Sequence, residues 1–416
     1  MKKIICLLLA VAMLSLCACG KEPQAVEQKQ PEQPQHSVPR PVTWADIDAI
    51  PIATANMTEE ELRQICVDFF RLQLSFQWTP KETLAYNISS YDKHPELKPG
   101  TVYAGCPYIS PSNTGNLYRV MDFYDSETGV LDTTQMTAQD FAWLIGNDCV
   151  TGPYWGWGRV VNSLLRFSNN YMTQEYGCIP VGPYRYEGIT QWSEENNTPS
   201  VCNANGKQIM YESYAQLKPA DGLYTQYNEA KNSHMRMVSA APTVVLDEAG
   251  NIDGLQSFVT YLDQGSSFEP YNQDGTVVQI QGGVDVRISF RALYDAGYLP
   301  FTWAELIGED PVDPALIRTQ IPVPEKLTLD NLRRINFSSN YTISHFSMEL
   351  RDEKGNVTYE KTLYTQRRLE QDASVGQLMD MDQLQSILST GPQQVSVTCR
   401  VSTGQLLTVC EGLLSA

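Results

Sequence analysis

Residues 143–163 read WLIGNDCVTGPYWGWGRVVNS, and the role of Cys149 in this stretch decides what the fold is for. The cysteine follows Asn147 and Asp148; Gly152, Pro153 and an aromatic run then follow in the pattern of a helix start. Proline is tolerated in a first helical turn, where its missing N–H would have had no partner. A thiol at such a helix mouth is favoured as thiolate by the unpaired N–H groups and the helix dipole. The plain alternative is a small buried hydrophobe, since free cysteine is among the most buried residue types.

A nucleophilic thiol also needs a base, most often an imidazole. The chain has four histidines. His36 lies in a Pro- and Gln-rich segment, His94 beside a proline in a charged loop, and His345 in a C-terminal strand-rich portion. His234 opens the run HMRMVS (234–239), which reads as a strand. Rigid elements hold catalytic groups better than loops do, so His234 is the expected partner of Cys149.

Outward from this pair the chain reads as α+β. MTEEELRQICVDFFRLQLSFQW (57–78) has Thr58 and Glu61 at capping-box spacing and Leu62, Ile65, Phe69 and Leu72 at helical intervals. TAQDFAWLIGNDC (137–149) is a second helical stretch running into Cys149. GKQIMYESYAQL (206–217), the run 234–264 and GTVVQIQGGVDVRISF (275–290) alternate apolar and polar residues, which predicts short strands. DEAGNIDG (247–254) starts like a calcium loop but lacks its twelfth-position Glu, and reads as a hairpin turn. A Pro-rich boundary at 308–326 precedes two hairpin patterns, at 341–365 and 393–415, expected to form a small β-sandwich. Its expected role is spacing or binding.

The N-terminus sets the compartment. Lys2 and Lys3 precede the apolar run 4–16 and the sequence LCACGK, the pattern of an export signal too short for a comfortable membrane span. Residues 21–40 are rich in Gln, Pro and Glu and cannot bury enough surface to offset their ordering entropy. The expected order is a signal over 1–18, a tether over 19–54, a catalytic-type domain over 55–312 and a β domain over 322–416. A net charge of -18 argues against nucleic acid as a partner, because phosphate backbones demand a basic face. Of ten cysteines, those at 6 and 17 fall in the N-terminal signal, and Cys19 follows it. Cys178 with Cys202, or Cys399 with Cys410, could each close a disulfide in an exported chain. No CxxC pair or His-rich tract marks a metal site, and no motif implies a cofactor.

The run Leu16-Cys17-Ala18-Cys19-Gly20 resembles the bacterial lipoprotein signal, which implies a lipid on Cys19 and anchoring on the outer side of the cell membrane. Further along, GCPY (105–108), NDCVTG (147–152), LKPADGL (217–223) and HMRMVS stand in one order. That ordered set resembles NlpC-type bacterial cell-wall cysteine peptidases, which have a papain-like fold. The resemblance covers about residues 100–270, with Val150 standing where the family has serine. It implies Cys149 as nucleophile and His234 as base, with a polar group on the following strand, SFVTYLDQ (257–264), orienting the imidazole. Gln264 is the first choice for that group and Asp263 the second, either accepting the Nδ1 proton. Tyr108, Trp155 and Trp157 are groove walls or core.

The leading expectation is a lipid-anchored cysteine hydrolase cleaving amide bonds of peptidoglycan-type peptides. A non-catalytic surface lipoprotein that binds wall fragments or a protein is the alternative, and acyl transfer to an amine on the same thiol is a third.

Overall fold

Thr58 closes the N-terminus of the longest helix. Its hydroxyl accepts from Glu61 N–H at 3.3 Å, and the Glu61 carboxylate accepts from Thr58 N–H at 2.8 Å. The capping box read from the sequence therefore forms, and the helix runs Glu59–Ser75 with Leu62, Ile65, Cys66, Phe69 and Phe70 buried along one stripe. These details come from a computed structural model. It describes residues 41–85, 96–109, 115–134, 136–162, 164, 177–186, 193, 195–227, 233–265, 269–270, 277–279, 282–366 and 370–415. Cys19, His36, His94 and the signal over 1–18 lie outside the described residues.

The chain is mixed α+β. The long helix packs with the helix Thr151–Trp157 against a six-stranded antiparallel sheet. Its strands run in the order Gly283–Ser289, Phe258–Asp263, Ser233–Thr243, Gly222–Gln226, Leu299–Trp303, Cys178–Pro180. Arg63 of the long helix donates to Asp221 at 2.6 Å and to the Pro219 carbonyl at 2.8 Å, pinning the turn that feeds the Gly222–Gln226 strand. A second sheet of short strands includes Gln77–Pro80 and Val102–Ala104.

Three expectations change. The tether does not reach residue 54: Thr43 and Asp46 form a capping box on Trp44–Asp48, and Val42, Ile47 and Ile50 are buried in the first core. Residues 206–217 are not a strand. Asn197 and Gly206 start the helices Thr198–Asn205 and Lys207–Tyr214, and Met210, Tyr211 and Tyr214 bury one helical face, a spacing that alternation hid. No disulfide forms among Cys66, Cys106, Cys149, Cys178, Cys202, Cys399 and Cys410, which are all buried free thiols.

The C-terminal portion has its own core, built from Phe337, Tyr341, Ile343, Met348, Leu350 and Val397 among others. A five-stranded and a three-stranded sheet enclose it, so strands dominate. It is not purely β, because Asp380 caps the helix Met381–Leu388, which buries Leu384 and Leu388. Nor is it a free appendage: the described residues from 41 to 415 fall in one compact unit. The buried Arg119 guanidinium donates to the carbonyls of Trp143, at 3.0 Å, and of Ser344 and Thr365, both at 2.8 Å. Ser402 donates to the Gly158 carbonyl at 2.7 Å, directly behind the Cys149 helix. Among the described residues no helix is long and apolar enough to cross a membrane.

Candidate functional site

Cys149 sits in the turn that starts the Thr151–Trp157 helix. One oxygen of the Asp148 carboxylate accepts from Val150 N–H at 3.0 Å, Thr151 N–H at 2.8 Å and the Thr151 hydroxyl at 2.9 Å. Asp148 N–H donates back to that hydroxyl at 3.0 Å. Such side-chain caps satisfy N–H groups that the helix leaves without partners, and Asp148 fixes the backbone on both sides of the cysteine.

The helix then needs its glycines. A Cβ at Gly152 would stand 2.9 Å from Gln264 Cβ, and one at Gly156 would stand 2.7 Å from Phe70 Cβ and 2.9 Å from Met237 Cε. Their absence lets the Cys149 helix settle between the long helix and the His234 strand. The GCPY loop is laced to the same place. Asn147 N–H donates to the Pro107 carbonyl at 3.1 Å, and Ile109 N–H to the Asn147 carbonyl at 2.8 Å.

His234 pairs with Thr225 across the sheet, and its Nε2 lies 2.8 Å from Asp263 Oδ1. Cys149 is near enough to strengthen the imidazole's hold on its proton. Since Asp263 occupies Nε2, Nδ1 is the nitrogen left for the thiol. This reverses the expected use of Nδ1 for the orienting group. The Cys149 sulfur also approaches the Ser233 carbonyl at 3.7 Å. Cys149, His234 and Asp263 are therefore brought together, at 7% residue exposure for Cys149 and 25% and 14% side-chain exposure for the other two.

Gln264 faces elsewhere. Its amide donates to the Cys106 carbonyl at 2.9 Å, fully buried against Gly152, so it braces the cysteine helix instead of the imidazole. Neighbouring residues on a strand point to opposite faces, and Asp263 holds the side that His234 occupies. Tyr108 is buried and bridges to Asn147 beside the cysteine. Trp155 is buried edge-on to Tyr118, and Trp157 lies wholly inside, donating to the Ala220 carbonyl at 2.7 Å. Both tryptophans are packing residues here.

The electrostatics follow from the geometry. Burial opposes a charge on His234, but the Asp263 carboxylate and the Cys149 sulfur outweigh it and raise the imidazole to about 10. Burial likewise works against ionised Asp263, yet His234 and Arg236 together hold its carboxyl below the usual range. Burial pushes the thiols of Cys66, Cys106, Cys178, Cys202, Cys399 and Cys410 up.

Two features escaped the sequence reading. Arg236, two residues past His234, reaches Asp263 Oδ2 at 3.4 Å. Its same-face spacing was the available signal. Asp285 adopts a left-handed φ of 54° where the ladder opposite Tyr261 and Asp263 slips register. Arg71 holds its carboxylate at 3.0 Å. Bulges of this kind re-aim strand ends beside sites, and only a long-range ion pair marks this one.

Among the described residues no three His, Cys, Asp or Glu side chains are grouped to hold a metal ion. No protein-family model matches the chain, and neither does any curated protein or solved structure.

Proposed function

We propose that this chain is a cysteine hydrolase acting on amide bonds of peptides, with Cys149 as nucleophile, His234 as acid–base and Asp263 as the orienting group. The observation that carries the reading is an imidazole whose Nε2 meets the Asp263 carboxylate at 2.8 Å, with the Cys149 sulfur 3.7 Å from the carbonyl of the preceding residue, Ser233. A papain-like, NlpC-type organisation is the finer form of this proposal. It is supported by a cysteine at a helix mouth packed on an antiparallel sheet with the histidine on a strand.

In the proposed reaction Nδ1 of His234 takes the Cys149 proton, and the sulfur attacks the amide carbonyl. The Cys149 N–H at the helix start would help to hold the oxyanion. The imidazolium then gives its proton to the leaving amine, and water, deprotonated by the imidazole, releases the acyl group. Peptidoglycan-type peptides are the proposed substrate class, and a lipid on Cys19 would hold the enzyme on the outer membrane face. No cofactor enters this scheme.

The experiment is incubation of purified wall fragments with the protein and with Cys149→Ala, followed by assay of new amines. New amines formed by the parent alone support the proposal. Binding of fragments without any new amine would favour the alternative, a non-catalytic lipoprotein.

A further inference from the structure

His234 and Arg236 lie on one strand two residues apart, which puts both side chains on the same face. The Arg236 side chain is 4% exposed. It lies between two rings, with Cζ 4.4 Å from the Tyr261 centroid and 4.7 Å from that of Tyr298. Tyr298 in turn meets the His234 imidazole edge-on, with centroids 6.5 Å apart. Asp263 is shared: Oδ1 faces His234 Nε2 at 2.8 Å, and Oδ2 accepts from Arg236 Nε at 3.4 Å. A buried cation loses its hydration and is costly unless paired, so its place against this carboxylate needs a reason. The slot between two rings suits a planar guanidinium and not an ammonium.

We propose that Arg236 is a positioning residue of the Cys149 site, dividing the Asp263 carboxylate between its own guanidinium and the His234 imidazole. This rests on the reading of His234 as the base for Cys149. The groups around the pair come from four elements. Cys149 stands at the helix start, Asp263 at its strand end, Tyr298 ahead of the Leu299–Trp303 strand, and Arg236 on the histidine's own strand. Asp285, neutralised by Arg71, stands on the adjacent strand. Cys149 and Asp263 favour the charged imidazole, whereas Arg236 opposes it by its own charge and by its hold on the carboxylate. An imidazolium given all of Asp263 would keep its proton too firmly to pass it to a leaving amine.

The test is the titration of the His234 imidazole, followed by NMR on the histidine-labelled full chain, which has four histidines to resolve. Arg236→Met is expected to raise the midpoint by about one pH unit or more. Arg236→Lys is expected to raise it less, because the ammonium keeps the charge but not the planar fit. In an Asp263→Asn background both effects shrink to less than half. An unchanged or lowered midpoint in both variants, or the same rise with Asp263→Asn, overturns the proposal. If Arg236→Met does not fold, Arg236→Lys in the two backgrounds decides it alone. Failure of the hydrolase reading looks different: parent and His234→Ala would then alkylate at Cys149 equally fast, whatever the titration shows.

Discussion

The Nε2 atom of His234 and the Oδ1 atom of Asp263 are 2.8 Å apart, on adjacent strands of one antiparallel sheet. That contact fixes which imidazole nitrogen is left for Cys149, and it ties the charge of the site to a carboxylate that is itself mostly buried. Asp263→Asn keeps the shape and removes the charge. Alkylation of Cys149 by iodoacetamide at pH 7 is expected to slow by about tenfold or more, since an opposite charge at this range shifts a partner by one to three pH units. Gln264→Met, which cannot donate to the Cys106 carbonyl, is expected to lower the urea midpoint while changing the alkylation rate of the folded fraction much less.

The same pair predicts a pH dependence of stability. Folded His234 holds its proton up to about 10, whereas an unfolded imidazole releases it near the ordinary value of about 6.5. Between those limits the native state binds more protons. The stability from the pair is therefore complete below the lower limit and is lost as pH rises through the upper one. Asp263, whose carboxyl is lowered, acts in the other direction: its contribution is present above the ordinary carboxyl range and is lost in acid. Subtracting the stability of Asp263→Asn from that of the parent between pH 5 and 10 should give a difference that falls with pH. A flat difference would mean that the pair is uncoupled.

Gly156→Ala tests the close approach of the cysteine helix. The new Cβ would stand 2.7 Å from Phe70 Cβ and 3.0 Å from the Cys66 carbonyl oxygen, with no room for either neighbour to retreat freely. Alanine gains about 1 kcal/mol in helix propensity, while overpacking costs about 1–3 kcal/mol. Urea unfolding should show a net loss.

Arg119→Met tests whether the C-terminal portion is part of the body. The substitution removes a donor from the carbonyls of Trp143, Ser344 and Thr365; Ser344 keeps the Thr365 N–H at 3.2 Å, and each carbonyl left orphaned costs roughly 1–3 kcal/mol. Thermal unfolding should move down by several degrees. Limited proteolysis should begin to release fragments ending near the Pro-rich boundary.

Much of this was legible in the chain. The Thr58–Glu61 box and the stripe from Leu62 to Phe69 announce the long helix, because capping and periodicity are local properties. Scarcity of histidine and one strand-like run single out His234. The orienting residue was not legible, because the choice between residues 263 and 264 is a question of strand parity. Which of the two faces His234 depends on the register between the Ser233–Thr243 and Phe258–Asp263 strands, and alternation along one strand cannot reveal a register. Arg236 was not singled out in the sequence, because its rings, Tyr261 and Tyr298, are supplied from elsewhere in the fold. The C-terminal portion read as separable for a similar reason: Arg119 and Ser402 anchor it across more than two hundred residues.

The most direct measurement is competitive alkylation of the folded protein with limiting iodoacetamide at pH 7, with each cysteine quantified by peptide mass spectrometry. The proposed hydrolase site predicts that Cys149 is modified well ahead of Cys66, Cys106, Cys178, Cys202, Cys399 and Cys410, whose thiols are buried and pushed up. It also predicts that His234→Ala slows the Cys149 reaction by about tenfold or more. Equal modification of all seven thiols, or a Cys149 rate indifferent to His234, would contradict it.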